Sequence, residues 1–245
     1  MTHKKNIKLT IEYDGAKYAG WQNQANAWTV QAELEKALGK LTGEKVTLYG
    51  AGRTDAGTHA LGQVANFKTS VKLPVEKIRL AANSLLPKEI IVKSAEEVSE
   101  KFNSRRSAKT KIYVYRISLM ETALQRNYTW QYLFPVNLAR IRQATRYILG
   151  RKDFSSFCVA KSRQESNICN ISRAVWKRSG GELTFEIEGD RFLHAMVRIL
   201  AGTLLEVGRE KITPAEFRKI IAARDRRKAG KTAPACGLYL KDVRY

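Results

Sequence analysis

The sequence predicts an α+β protein made of two related halves, each an antiparallel sheet with helices on one side, with an active-site cleft between them. Three observations lead there. Apolar side chains at Ile7, Leu9, Ile11 and Tyr13 alternate with polar ones, the two-residue period of a half-buried strand. Helical stretches carry explicit start and stop signals: Thr29 and Gly43 around one, Asn137 and Gly150 around another. After a basic linker, Arg105 to Lys111, a similar succession of strands and helices begins again. The expected division is therefore residues 1–104, which carry the Gly-rich loop discussed below, and residues 105–245, which complete the cleft.

In chain order, the first strand is followed by a turn, Asp14 to Gln22, whose Tyr18 and Trp21 suit either a core or a surface for stacking bases; core is the better reading. Val30, Leu34, Leu38 and Leu41 recur at helical spacing behind the Thr29 cap. Val46 to Tyr49 reads as a strand, and so does Gln63 to Phe67. Pro74 opens a helix through Ile78, Ala82 and Leu85 that Pro87 stops, and Ile90 to Val92 is a further strand. In the second half, strands fit Ile112–Ser118, Ile171–Arg178 and Leu183–Glu188, and a helix fits Leu193–Val207. Thr213-Pro214-Ala215-Glu216 combines a capping box with proline in the first turn, so a helix starts there. A last strand falls around Leu238 to Val243.

Composition narrows the partners. Lys and Arg number 44 against 23 Asp and Glu, a formal charge of +21, far beyond what solubility requires, and this points to a polyanion. Cys158, Cys169 and Cys236 form no Cys-x-x-Cys pair and suggest reduced thiols in a cytoplasmic protein. His3, His59 and His194 are too scattered for a metal site, so structural roles are expected of them. No apolar run is long enough to span a bilayer, and no secretion signal is visible.

The stretch that carries chemistry is Gly50-Ala51-Gly52-Arg53-Thr54-Asp55-Ala56-Gly57-Thr58-His59-Ala60. Its glycines let the backbone turn sharply and approach a ligand, and the Asp55 carboxylate sits two residues from Arg53. The plain alternative is turn and capping chemistry, for which Asp and Thr beside Gly are ordinary residues. A dinucleotide fingerprint fails because its third glycine would fall at Asp55, and no Gly-Lys-Ser/Thr phosphate loop follows.

This stretch resembles the catalytic signature of the tRNA pseudouridine synthase A family, Gly-Arg-Thr-Asp-Ala-Gly-Val-His-Ala, with Thr58 in place of the usual Val. The resemblance continues through Tyr13-Asp14-Gly15, Gly20-Trp21-Gln22, Lys111-Ile112-Tyr113-Val114-Tyr115, Asp153 to Phe157, Phe192 to Arg198 and Ala233-Pro234-Ala235-Cys236-Gly237-Leu238. Cys169-Asn170-Ile171 departs from the Thr-Arg-Ile more often found there. The resemblance implies the pseudouridine synthase fold, a homodimer, no cofactor or metal, and a tRNA substrate modified on the 3′ side of the anticodon stem-loop. It also implies Asp55 as nucleophile, Arg53 entering the RNA, Tyr113 packed on the target uracil, Arg198 paired with the aspartate, and Leu238 as an apolar wall.

The residues leave other readings open. Arg53 could serve a salt bridge or a phosphate, Tyr113 and Tyr115 could both be core, and an internal acid such as Glu206 could partner Arg198. Two rival functions remain. A non-catalytic RNA-binding or chaperone protein would not need Asp55. A nucleoside or glycoside hydrolase would usually add a second carboxylate or a metal cluster, and the Asp55 loop carries neither.

Overall fold

The structure, a computed structural model, describes residues 4–159 and 166–245, so His3 lies outside the described residues. The chain divides into two units, residues 1–109 together with 240–245, and residues 110–239.

In the first unit, β1 (Lys5–Tyr13) buries Ile7, Leu9, Ile11 and Tyr13 on one face, as the alternation requires. It pairs antiparallel with β3 (His59–Thr69) on one side and β4 (Ile90–Val98) on the other. The end of a strand that begins at Leu238, residues 240–244, neighbours β3 on the side away from β1. Gly62 permits that approach, since a Cβ there would lie 2.7 Å from the Lys241 carbonyl oxygen.

Two helices, α1 (Val30–Thr42) and α2 (Val75–Leu85), complete the unit. Thr29 Oγ1 accepts from the Ala32 N–H at 3.3 Å, and Gly43 closes α1 at φ 69°, so both predicted end signals operate. β3 is buried on both faces. Gln63 shares a face with Ile11, while Asn66 lies on the other, where it bonds Asn6 and the Ser104 N–H, each at 2.9 Å.

The expected strand from Val46 to Tyr49 is shorter in the structure: only β2 (Tyr49–Gly50) pairs, with β3. The reason is local. The Leu48 N–H donates to the Glu35 carboxylate at 2.9 Å and its carbonyl accepts from Gln31 Nε2 at 3.3 Å, so α1 takes the groups that a ladder would use.

The second unit places β5 (Thr110–Ser118), β9 (Glu182–Gly189), β8 (Ile168–Ser179) and β7 (Gly150–Asp153) side by side, all antiparallel, with the short β6 (Trp130–Gln131) parallel to β5. Three helices join them: α3 (Leu138–Thr145), α4 (Met196–Gly208) and α5 (Pro214–Ala223). Trp176 of β8 stacks on Phe185 of β9 and donates its indole N–H to Thr145 of α3 at 3.0 Å. α4 is apolar nearly all round and buried; Arg198 and Glu206 are its two residues outside that buried set.

The expected start of α4 at Leu193 moves to Met196, because Ala195 adopts the left-handed conformation, φ 58°. α3 stops at Thr145, five residues before Gly150, which at φ 83° instead opens β7. The capping box at Thr213 and Glu216 is present in both directions. The structure is α+β, the expected class.

Candidate active site

Asp55 is half-buried in the loop that joins β2 to β3. Three neighbours hold this loop from beneath. From β3, the Val64 carbonyl accepts from the Ala51 N–H at 2.7 Å, and Gln63 Nε2 donates to the Gly52 carbonyl at 2.8 Å. From β1, the Tyr13 hydroxyl and Thr54 Oγ1 form a buried bond of 2.7 Å directly before Asp55. From the turn 14–22, the Trp21 N–H donates to the Thr54 carbonyl at 3.2 Å, and the Tyr18 carbonyl accepts from the Gly57 N–H at 3.2 Å.

Two glycines make that close stacking possible. A Cβ on Gly50 would lie 2.5 Å from the Trp21 indole, and one on Gly20, at φ 96°, would lie 2.6 Å from the Thr54 carbonyl oxygen. Beyond Asp55 the chain turns back, with the Thr58 N–H donating to the Asp55 carbonyl at 3.1 Å. His59 is 2 % exposed beside Gly15 and Asp14, a structural place as expected.

Tyr18 and Trp21 are both core, each 2 % exposed, and they underpin the loop instead of offering open faces to bases. Burial raises the Tyr13 hydroxyl well above its ordinary range, so it stays protonated as a partner for Thr54. Arg53 is exposed, its Nε bonded to Gln22 at 2.9 Å, which leaves the terminal nitrogens of its guanidinium at the surface end of the side chain.

The other predicted residues belong to the second unit. Tyr113, on β5, is 6 % exposed, and its ring meets Phe192 edge-on at 5.0 Å. Its strand neighbour Tyr115 is fully buried and donates to the Pro234 carbonyl at 2.7 Å; burial, then Cys236, raises its hydroxyl far above the ordinary value, partly offset by Arg198. Arg198 is half-buried near the start of α4, and its Nε donates to the Ala233 carbonyl at 2.8 Å. Glu206, the acid offered by the same helix, pairs with Lys211 at 3.6 Å. Leu238 is buried at the start of β10 (Leu238–Arg244), behind Gly237, where a Cβ would lie 2.6 Å from the Arg116 carbonyl oxygen. The structure thus gathers Arg53 and Asp55 on one loop of the first unit, and it gathers Arg198 with Ala233 and Tyr115 in the second.

Comparison with known proteins gives this arrangement its context. A family profile described as tRNA pseudouridine synthase matches residues 9–105 and 144–245, which include Arg53, Asp55, Arg198, Ala233 and Leu238 but not Tyr113 and Tyr115. The chain belongs to the tRNA pseudouridine synthase family. These synthases are isomerases that convert uridine to pseudouridine in tRNA. The tRNA pseudouridine synthase A of Clostridium acetobutylicum is 48 % identical over 243 residues, covering 98 % of this chain and 100 % of its own. Those of Caldicellulosiruptor bescii and Exiguobacterium sp. are 46 % and 42 % identical, each over 98 % of this chain and over 100 % and 98 % of their own.

The sequence points to Tyr13 and Trp21 as core residues and to Gln63 as part of a strand, but nothing in it marks these residues or Gly20 as anchors of the Asp55 loop. A signal exists in Tyr13-Asp14-Gly15 and Gly20-Trp21-Gln22, which match the family pattern although the resemblance implies no role for them in the reaction. Among the described residues no cluster of His, Cys, Asp and Glu is arranged to hold a metal ion, and no helix is long and apolar enough to cross a membrane.

Proposed function

We propose that this chain isomerises uridines on the 3′ side of the anticodon stem-loop of tRNA, with Asp55 as the nucleophile. The N1–C1′ glycosidic bond breaks, a C5–C1′ bond forms, the C5 proton is lost to solvent and N1 regains a proton, so no cofactor is consumed. The carboxylate attacks either C1′ or C6 and is released at the end. The observation that carries this reading is Asp55 itself, in a loop tied down on three sides, within a chain that aligns with the tRNA pseudouridine synthase A of Clostridium acetobutylicum over 98 % of its length. A nucleophile held in this way loses little entropy on reaching the reactive geometry.

The remaining roles rest on the likeness to the family. Arg53 enters the RNA and helps to displace the base, Tyr113 packs against the uracil, Arg198 pairs with the nucleophile, and Leu238 forms an apolar wall. Residues 1–104 thus carry the nucleophile, and residues 105–245 the groups that receive the base. A formal charge of +21 supports recognition of the folded tRNA through phosphates and shape, and such binding weakens steeply with salt. We place the working protein in the cytoplasm as a homodimer.

Tritium release from tRNA labelled at C5 of uridine tests the proposal, with the wild type compared with Asp55→Ala. Loss of release with tRNA binding retained supports it, and sequencing the modified tRNA gives the position. Binding without release by the wild type would sink it in favour of an RNA-binding protein.

A further inference from the structure

The segment that follows α5 contains an arginine with no role in the chemistry above. Arg226 is half-buried, and its guanidinium turns inward on its own loop. Nη1 donates to the carbonyls of Ala229 at 3.2 Å and Gly230 at 3.1 Å, and Nη2 donates to Thr232 Oγ1 at 3.0 Å. No carboxylate pairs with it among the described residues. A partly buried cation with three neutral acceptors is a weak stabilising device compared with an apolar residue in the same place, so its use lies in the shape it imposes.

That shape is read out on α4. The Gly230 N–H donates to Thr203 Oγ1 at 3.0 Å, and the Lys231 carbonyl lies against Gly202, where a Cβ would come within 2.1 Å of its oxygen. At the far end of the loop Ala233 and Arg198 exchange two bonds: the Ala233 N–H donates to the Arg198 carbonyl at 3.2 Å, and Arg198 Nε donates to the Ala233 carbonyl at 2.8 Å. The Ala233 carbonyl can hold the Arg198 side chain only if the loop before it has a fixed course. Arg226 fixes that course from one side and Thr203 from the other.

We infer that Arg226 is a positioning residue for the isomerisation, which shapes residues 229–233 so that the Ala233 carbonyl fixes the orientation of Arg198. This rests on the reading that Arg198 serves the reaction. The bond from Nε of Arg198 to the loop fixes the plane in which its guanidinium lies. Lysine in place of Arg226 keeps the charge but cannot present a planar fork to three acceptors.

The test uses Arg226→Gln and Thr203→Val, each alone and each combined with Arg198→Met, assayed by tritium release with tRNA affinity and melting temperature measured in parallel. Thr203→Val is nearly isosteric, so it carries the test if Arg226→Gln folds poorly. Each single change is expected to lower kcat about tenfold or more while KM for tRNA moves by less than about twofold. Combined with Arg198→Met, neither should add to the loss caused by Arg198→Met alone, because all act through one side chain. Arg226→Lys should recover part of the Arg226→Gln loss. Two results overturn the inference: a lowered melting temperature with kcat intact, or losses that multiply with that of Arg198→Met. If Arg198→Met alone leaves kcat unchanged, the reading of Arg198 fails first, which is a distinct result, and the route from Arg226 to the reaction goes with it.

Discussion

Replacing Gly20 with alanine should disable the Asp55 loop from below. Gly20 holds φ 96°, and its missing Cβ would stand 2.6 Å from the Thr54 carbonyl oxygen and 3.2 Å from both the Asp55 carbonyl carbon and the Ala56 nitrogen. Ordinary contact begins near 3.4 Å, so the peptide just before Asp55 must retreat by about 0.8 Å, taken as 3.4 less 2.6. It cannot retreat freely, because that same carbonyl accepts from Trp21 and the Thr54 hydroxyl is bonded to Tyr13. Backbone strain of about 1–2 kcal/mol joins one or two weakened bonds of about 1 kcal/mol each, a total of roughly 2–4 kcal/mol. A nucleophile displaced by about 1 Å costs up to about a hundredfold in turnover.

Gly43→Ala is the matched control. Gly43 also has positive φ, 69°, but no atom lies within 4 Å of its would-be Cβ. Its alanine should lower the melting temperature by strain alone and leave kcat unchanged. The assay is tritium release at saturating tRNA, well below both melting temperatures. A Gly20→Ala protein that melts lower yet turns over like the Gly43→Ala control would refute the idea that the turn 14–22 sets the position of Asp55.

Thr58 is 1 % exposed and its hydroxyl has no hydrogen-bond partner among the described residues, so Thr58→Val should stabilise the protein by about 1 kcal/mol, or roughly 2–4 °C in thermal melts, with kcat unchanged; a lower melting temperature would contradict this. The Ser70 hydroxyl, with its N–H at 3.0 Å, holds the Glu44 carboxyl below the usual carboxylate range. A carboxyl lowered in the folded state contributes stability that is present above its unfolded value and lost as the pH falls through the folded one. Glu44→Gln should therefore lower the melting temperature at neutral pH by more than at acid pH, and an equal drop at both rules the linkage out. Burial pushes the Cys169 thiol up to about 12, so at pH 8 it should resist maleimide until the protein is unfolded. Labelling of native Cys169 at the unfolded rate would show that it is not buried.

Helix ends were legible because their signals are short-range: Thr29 and Gly43 cap one helix, and Thr213 and Glu216 box another, each within a few residues. Of the strand expected at Val46–Tyr49 only Tyr49 pairs, because the backbone groups of Leu48 go to Glu35 and Gln31 of a helix, a competition that periodicity does not register. Likewise, nothing around Ala195 announces a left-handed residue, so periodicity alone puts the start of α4 at Leu193, three residues before its actual start at Met196. At the candidate site, Asp55 and Arg53 were readable from one motif. Their supports were not, since Tyr13, Gly20 and Gln63 act through pairing register and close approach across a fold that must exist before those contacts can.

The first unit takes its last strand from residues 240–245, where the Tyr245 hydroxyl bonds the Ser104 carbonyl at 3.0 Å and its ring lies 4.9 Å from that of Phe102. A ribosome that has already released residues 1–109 has therefore delivered a sheet whose β3 is covered on one edge only by the two residues of β2, and 130 further residues must emerge before the rest of that edge is paired. During translation the Asp55 loop, which leads into β3, waits for that strand's last neighbour. Nascent chains arrested shortly before residue 240 should accordingly be cleaved by protease within 1–109, and those carrying the last strand clear of the exit tunnel should resist.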